Sequence, residues 1–210
     1  MPEGGHNLFM VRIQVHKMRN DKTVIIFHGT MGSPHGNWFP WLKLQLEAKG
    51  CNAIIPALPT PEGQSLEVWK SVAEDTLEDL DPAKTVLIGH SLGAIFALRL
   101  AEQSPFPYKA VFAVCPFDRP LGIEPYDSLN SSFVSSPLDW SKTILGANKI
   151  YCFAGDNDPY VPLSIAQDVA QKAKASLQTI NGGGHLNEEF GYKEFPLLFD
   201  GIMRTLNDEG

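Results

Sequence analysis

Residues 85–103 read TVLIGHSLGAIFALRLAEQ, and the order of apolar, turn and helical residues in this stretch decides the fold. Thr85 to Ile88 is a short apolar run of the length and composition of a buried strand. It ends in Gly89-His90-Ser91-Leu92-Gly93, and Leu92 to Gln103 follows as a helix rich in alanine, with Ala94, Ala97 and Ala101. Strand, sharp turn and helix form the setting of a nucleophile elbow, with Ser91 at its tip. The elbow residue takes a strained backbone, and side chains at Gly89 or Gly93 would collide across the turn. The pentapeptide alone is a modest signal, because a serine capping a helix after a strand has the same local sequence.

Working outward, short apolar runs alternate with amphipathic stretches, the pattern of βαβ units on a parallel sheet. Thr23 to Phe27 predicts the first core strand and Trp38 to Lys49 a helix closed by Gly50. Ala53 to Ile55 predicts the next strand, ahead of a loop carrying Pro56, Pro59 and Pro61. Leu66 to Leu80 repeats apolar residues at helical spacing and stops at Asp81-Pro82, since a residue before proline is pushed out of the α region. Ala110 to Val114, Ile150 to Phe153 and Leu177 to Ile180 complete about six strands. Ser164 to Ala173 and Phe195 to Leu206 are further helices, the last with Phe195, Leu198, Phe199, Ile202 and Leu206 on one face. The expected class is therefore α/β, a doubly wound and mostly parallel sheet with helices on both faces.

Two segments fall outside this rhythm. Residues 1–22 read as an N-terminal arm, loose over Met1 to Asn7 and possessing one alternating run, Phe9 to Val15, that suits an antiparallel edge strand. Pro116 to Ala147 is long for a connection and rich in proline, serine and aromatic residues. A segment of that length carries small elements or a function, and residues 116–147 are the place for a short cap on a domain spanning 23–210.

The 210 residues suit one domain with a single substantial core. Hydrophobic residues at 43% and charged residues at 20% are ordinary for a globular chain. A net charge of −7, with no lysine or arginine run, argues against a nucleic-acid partner. The apolar runs are strand-sized, so no membrane span is expected. Cys51, Cys115 and Cys152 form no C-x-x-C pair, which removes the zinc and thioredoxin patterns, and no His/Asp ligand cluster points to a metal. An odd, small number of cysteines and an N-terminus without a secretory layout favour a reducing, cytoplasmic location. Neither a cofactor nor a metal is expected.

A serine hydroxyl attacks only when a base takes its proton. Among six histidines, His185 follows the last strand after Gly182-Gly183-Gly184 and precedes the final helix, where the base of such a site belongs. His90 lies within the elbow with its side chain directed away from the attacking face, and His28 reads as structural. The acid should follow the preceding strand. Asp158 is preferred there over Asp156, which lies closer to the strand end and suits the turn. Asp118, beside Arg119-Pro120, is a weaker alternative. The oxyanion donors are expected to be the N–H of Leu92 and that of Thr30, in the small loop His28-Gly29-Thr30-Met31-Gly32. Trp38, Phe117, Phe133 and Trp140 are candidates for an apolar substrate pocket, although each suits core packing equally well.

These motifs together resemble the small serine hydrolases of the retinoblastoma-binding protein nine and YdeN type, over nearly the whole chain from Thr23 onward. The resemblance rests on His28-Gly29 with Trp38-Phe39-Pro40-Trp41-Leu42, on the elbow, on Pro137-Leu138-Asp139-Trp140, on Asp158-Pro159-Tyr160-Val161-Pro162 and on Gly184-His185-Leu186-Asn187. It implies a compact α/β-hydrolase fold, a triad of Ser91, Asp158 and His185, and at most a short cap. Residues 1–21 are longer than that family usually shows.

The leading expectation is hydrolysis of a carboxylic ester of a small molecule through an acyl-enzyme on Ser91. An amide or thioester would use the same residues. Dehalogenase chemistry wants an aspartate where Ser91 stands. The alternative is a catalytically weak or inactive interaction module on the same fold, with a protein partner. The sequence leaves oligomeric state open.

Overall fold

The structure is a computed structural model, and it describes residues 22–208. The expected arm and the Phe9 to Val15 strand lie outside the described residues, Lys22 apart. Among the described residues six strands pair in parallel throughout: β1 (Thr23–Phe27), β2 (Asn52–Ile54), β3 (Thr85–His90), β4 (Ala110–Val114), β5 (Ile150–Gly155) and β6 (Ser176–Ile180). Their spatial order is β2-β1-β3-β4-β5-β6. The chain steps from β1 out to one edge, crosses back to β3 and then proceeds to the other edge. The winding thus reverses between β1 and β3, and in such sheets ligands bind in the crevice beyond the carboxyl ends at that reversal.

Alternation along the central strands divides the core in two. Ile25, Phe27, Leu87, Val111 and Ala113 face one side, with Trp69 of α2 (Leu66–Leu77), Phe96 of α3 (Leu92–Gln103) and Val169 of α6 (Leu163–Lys172). Val24, Ile26, Val86, Ile88 and Phe112 face the other, with Leu42 of α1 (Phe39–Ala48) and with Leu198 and Ile202 of α7 (Pro196–Asn207). Both faces of β1, β3 and β4 are covered, which is why those strands read as unbroken apolar runs. The edge strand β6 is largely exposed or half-buried, and its sequence SLQTI is correspondingly polar.

Most elements match the expected spans to within one or two residues. The exception of note is α2, which ends at Leu77 rather than Leu80. There the Leu80 N–H turns back to the Leu77 carbonyl at 3.0 Å, a tighter turn ahead of Asp81-Pro82. Its start is capped by Ser65, whose Oγ accepts the Val68 N–H at 3.2 Å. The segment 116–147 contains two short helices, α4 (Tyr126–Val134) and α5 (Trp140–Leu145). Asp139 caps α5 by accepting from the N–H groups of Ser141 and Lys142.

Candidate active site

Three glycine contacts make the elbow possible. A methyl group at Gly89 would lie 1.9 Å from the Gly93 carbonyl oxygen, and one at Gly93 would lie 2.3 Å from the Phe27 carbonyl oxygen. A third at Gly29 would meet the Ser91 Cβ at 3.0 Å and the Leu92 nitrogen at 3.6 Å. The β3–α3 turn therefore presses directly against the loop that leaves β1. Ser91 itself holds φ 57° and ψ −119°, a conformation that L residues seldom take, and its N–H is tied to the Val114 carbonyl at 2.8 Å. This packing brings the Gly29-Thr30 backbone beside the first turn of α3, whose leading N–H groups have no partner within the helix. The Thr30 N–H makes no hydrogen bond among the described residues.

His185 Nδ1 donates to Asp158 Oδ2 at 2.7 Å, and both side chains are nearly enclosed. The other carboxylate oxygen, Oδ1, accepts the N–H groups of Tyr160 at 2.8 Å and Val161 at 3.0 Å. Burial pushes the Asp158 carboxyl up, but the hydrogen bond and charge of His185, with those two N–H groups, hold it below the usual carboxylate range. The two other aspartates considered are occupied elsewhere. Asp156 Oδ1 accepts the Gly182 N–H at 2.8 Å, and Asp118 pairs with Arg119 and Lys172.

The loop bearing His185 is tethered along its length. Asn157 Oδ1 accepts from the Gly184 N–H, the Trp38 indole donates to the Leu186 carbonyl at 2.9 Å, and Asn37 Oδ1 accepts from the Glu188 N–H. Gly155 and Gly184 touch backbone to backbone, since a methyl on Gly155 would lie 2.1 Å from the Gly184 oxygen. His90 adds a contact that the sequence did not suggest: from beneath the elbow its Nε2–H reaches the His185 carbonyl at 2.8 Å. Burial, with His185 next, lowers the His90 pKa to about 3, so the ring is neutral and able to keep that bond at neutral pH.

This buried neutral ring has a measurable cost in acid. In the unfolded chain a histidine takes up its proton near pH 6.5, whereas the folded protein refuses it until about pH 3. The unfolded state thus binds more protons across that window, and stability falls as pH drops through it. The slope from one group is at most about 1.4 kcal/mol per pH unit. Urea unfolding at pH 7 and pH 5 should show His90→Gln losing about 1–2 kcal/mol less than wild type between the two. Equal losses would remove His90 as the source.

Ligating atoms of His90, Cys115 and His185 lie within 4.8 Å of one another. Burial, however, pushes the Cys115 thiol well up and away from the thiolate a metal prefers. His28 serves the first loop: Nδ1 donates to the Gly29 carbonyl at 2.9 Å and Nε2 accepts the Leu58 N–H at 3.2 Å.

A cleft of about 260 Å³ opens over this arrangement, and Thr30, Ser91, Phe117 and His185 all line it. The other three aromatics considered for the pocket lie elsewhere, and the structure corrects their placement. Trp38 is fully buried on the α1 and α7 side, where it spends its indole N–H on the His185 loop. Phe133 is sealed in the opposite core against Trp69 at 4.9 Å and Phe96 at 6.2 Å. Trp140 begins α5 and stacks under the Lys172 ammonium, 6.0 Å from its ring. Large aromatics are buried for their area alone, so size gives no hint of which wall they line. The cleft is instead closed by Leu121, Ile123, Tyr126 and Asn130 from the segment 116–147, with Tyr160 and Glu189 opposite. Of these only Tyr160 fell in a motif, beside Asp158; the four from segment 116–147 had no signal beyond its length, and Glu189 had none.

A strained serine at a strand–helix turn, a histidine bonded to a buried carboxylate, and a loop pressed against the elbow, all on this sheet, define a serine hydrolase of the α/β-hydrolase fold. The chain belongs to the serine hydrolase family, whose pattern matches residues 24–204. It is 33% identical to YdeN of Bacillus subtilis over 90% of this chain and 98% of that protein. The crystal structure of the ydeN gene product superposes with a TM-score of 0.82, over 89% of this chain and all of that one. The serine hydrolase RBBP9 of Rattus norvegicus is 30% identical over 82% of this chain and 92% of its own length. Est1E from Butyrivibrio proteoclasticus shares the fold at a TM-score of 0.68 and 16% identity, over 89% of this chain and 87% of that one. Among the described residues no helix is long and apolar enough to cross a membrane.

Proposed function

We propose that the protein hydrolyses a carboxylic ester of a small molecule through an acyl-enzyme on Ser91. The observation that carries this reading is the 2.7 Å bond from His185 Nδ1 to Asp158, in the same cleft as a serine held at φ 57°. With the proton of the neutral ring fixed on Nδ1, Nε2 is left as the acceptor a hydroxyl needs. Ser91 Oγ adds to the ester carbonyl carbon while His185 Nε2 takes the hydroxyl proton. The carbonyl oxygen becomes an oxyanion held by the N–H groups of Thr30 and Leu92. Collapse breaks the bond to the alcohol, which leaves with the proton from His185. Water then adds to the acyl-enzyme with His185 again as base, and the acid departs from Ser91.

In this reading the segment 116–147 is the short cap, and its apolar residues Phe117, Leu121 and Ile123 receive the hydrocarbon part of the substrate. Three buried, unpaired cysteines suit a reducing compartment, and the cytoplasm is the location proposed.

A fluorophosphonate probe tests the assignment. Wild type is expected to label stoichiometrically, Ser91→Ala not at all, and His185→Ala slowly. Labelling that persists in Ser91→Ala sinks the nucleophile, and a wild type that never labels leaves an interaction module on the same fold.

A further inference from the structure

The cap brings the amide of Asn130 to the cleft, beside the Tyr126 ring, and the orientation of that amide follows from a chain of hydrogen bonds. The Leu129 carbonyl, which can only accept, fixes the Gln64 amide: Nε2 donates to it at 2.9 Å and to Asn130 Oδ1 at 3.0 Å. Gln64 Oε1 accordingly accepts the Thr60 hydroxyl at 2.6 Å, while Thr60 Oγ accepts the Met31 N–H at 2.7 Å. The Thr30 hydroxyl donates to the same Asn130 oxygen at 2.5 Å. A flipped Asn130 would set its NH2 against the NH2 of Gln64, so the oxygen must face the network.

The Asn130 amide nitrogen is therefore turned the other way. The residue is only 4% exposed, yet its Nδ2 makes no hydrogen bond among the described residues. It is also absent from the fully enclosed unpaired atoms, where Asn187 Oδ1 stands alone among the described residues. What access the group retains is on the wall it shares with Ser91 and Tyr126. A nearly buried donor without an acceptor is unfavourable, and a ligand oxygen placed there relieves it. The facing wall holds the Glu189 carboxylate, bonded among the described residues only to the Tyr160 hydroxyl, and no described lysine or arginine lines the cleft. An anionic acceptor is disfavoured in that surrounding.

Resting on the ester-hydrolase reading above, we infer that Asn130 determines specificity by donating from Nδ2 to a neutral oxygen of the substrate. That oxygen is a carbonyl, ether or hydroxyl separate from the scissile carbonyl. The substrate class is a mostly apolar ester carrying a second, uncharged acceptor.

An oxygen scan tests this. An ether oxygen replaces one methylene at each position along the acyl chain of 4-nitrophenyl hexanoate, and separately along the alkyl chain of hexyl butanoate. Each kcat/KM is divided by the rate of hydroxide hydrolysis to remove inductive effects. One position should exceed the all-carbon ester by about 10- to 100-fold. In Asn130→Asp the acceptor role toward Thr30 and Gln64 is kept while the donor is lost, and that ratio should fall to near one. A flat scan in wild type overturns the inference, as does a ratio unchanged in Asn130→Asp, which is what a purely structural asparagine gives. Should Asn130→Asp not fold, Asn130→Ala takes its place in the same comparison. A wild type that neither turns over any ester nor labels with fluorophosphonate overturns the underlying reading instead, and the inference with it.

Discussion

Asp158→Asn is expected to lower kcat on an activated ester by about 10³- to 10⁴-fold with KM little changed. The size follows from which way the new amide must face. The N–H groups of Tyr160 and Val161 both point at Oδ1, so the asparagine keeps its oxygen there and places its NH2 where Oδ2 now meets His185. A donor facing Nδ1 forces the ring proton onto Nε2, and the nitrogen that should accept the Ser91 proton then presents one of its own. Folding should be nearly intact, since no volume changes. Asp118→Asn, which loses only a partly exposed ion-pair cluster, should stay within a few-fold of wild type. Steady-state kinetics on the purified variants checks both, and a large loss in Asp118→Asn with none in Asp158→Asn overturns the acid assignment.

Gly93→Ala should cost about 3–5 kcal/mol of stability, or roughly 10 °C in Tm for a domain of this size. The added methyl would stand 2.3 Å from the Phe27 oxygen and 2.6 Å from the His28 oxygen. Both are backbone atoms of the central sheet and its first loop, so neither can rotate away as a side chain would. Relief requires α3 to lift from β1, which also withdraws the Leu92 N–H from the Thr30 loop, and labelling at Ser91 should slow with the loss of stability. Gly36→Ala is the matched control, because its nearest neighbour is an ordinary 3.8 Å away. Thermal unfolding of the pair reads the difference, and equal melting temperatures are incompatible with this contact.

What could be read from the sequence was what repeats or what geometry forces. The central strands are buried on both faces and so stand out as runs such as TVIIF and TVLIG. The elbow is legible because its glycines answer a collision that no other residue survives. The pairing of His185 with Asp158, bonded at 2.7 Å, follows from chain order along the sheet. The cleft wall obeys no such rule. Asn130 lies within a nine-residue helix, and what matters about it is the direction of one amide, set by Thr60, Gln64 and Thr30 from two distant loops. Three of the four pocket aromatics failed for a related reason, Phe117 being the one that lines the cleft. Trp38 and Phe133 are large apolar groups that any buried site accepts, and only packing tells a core wall from a cleft wall.

The tethers on the His185 loop bear on when the entropy of orienting this ring is lost. Held by Asp158 at the ring, by His90 at the main chain, and by Trp38, Asn37 and Asn157 along the backbone, the imidazole has little freedom left to surrender when substrate arrives. Its ordering belongs to folding rather than to each turnover. With His185 as the proposed base, an enzyme so arranged has no need of a closing motion to assemble it, and its rate should follow the chemistry of the bond being broken, rising with better leaving groups until water attack takes over.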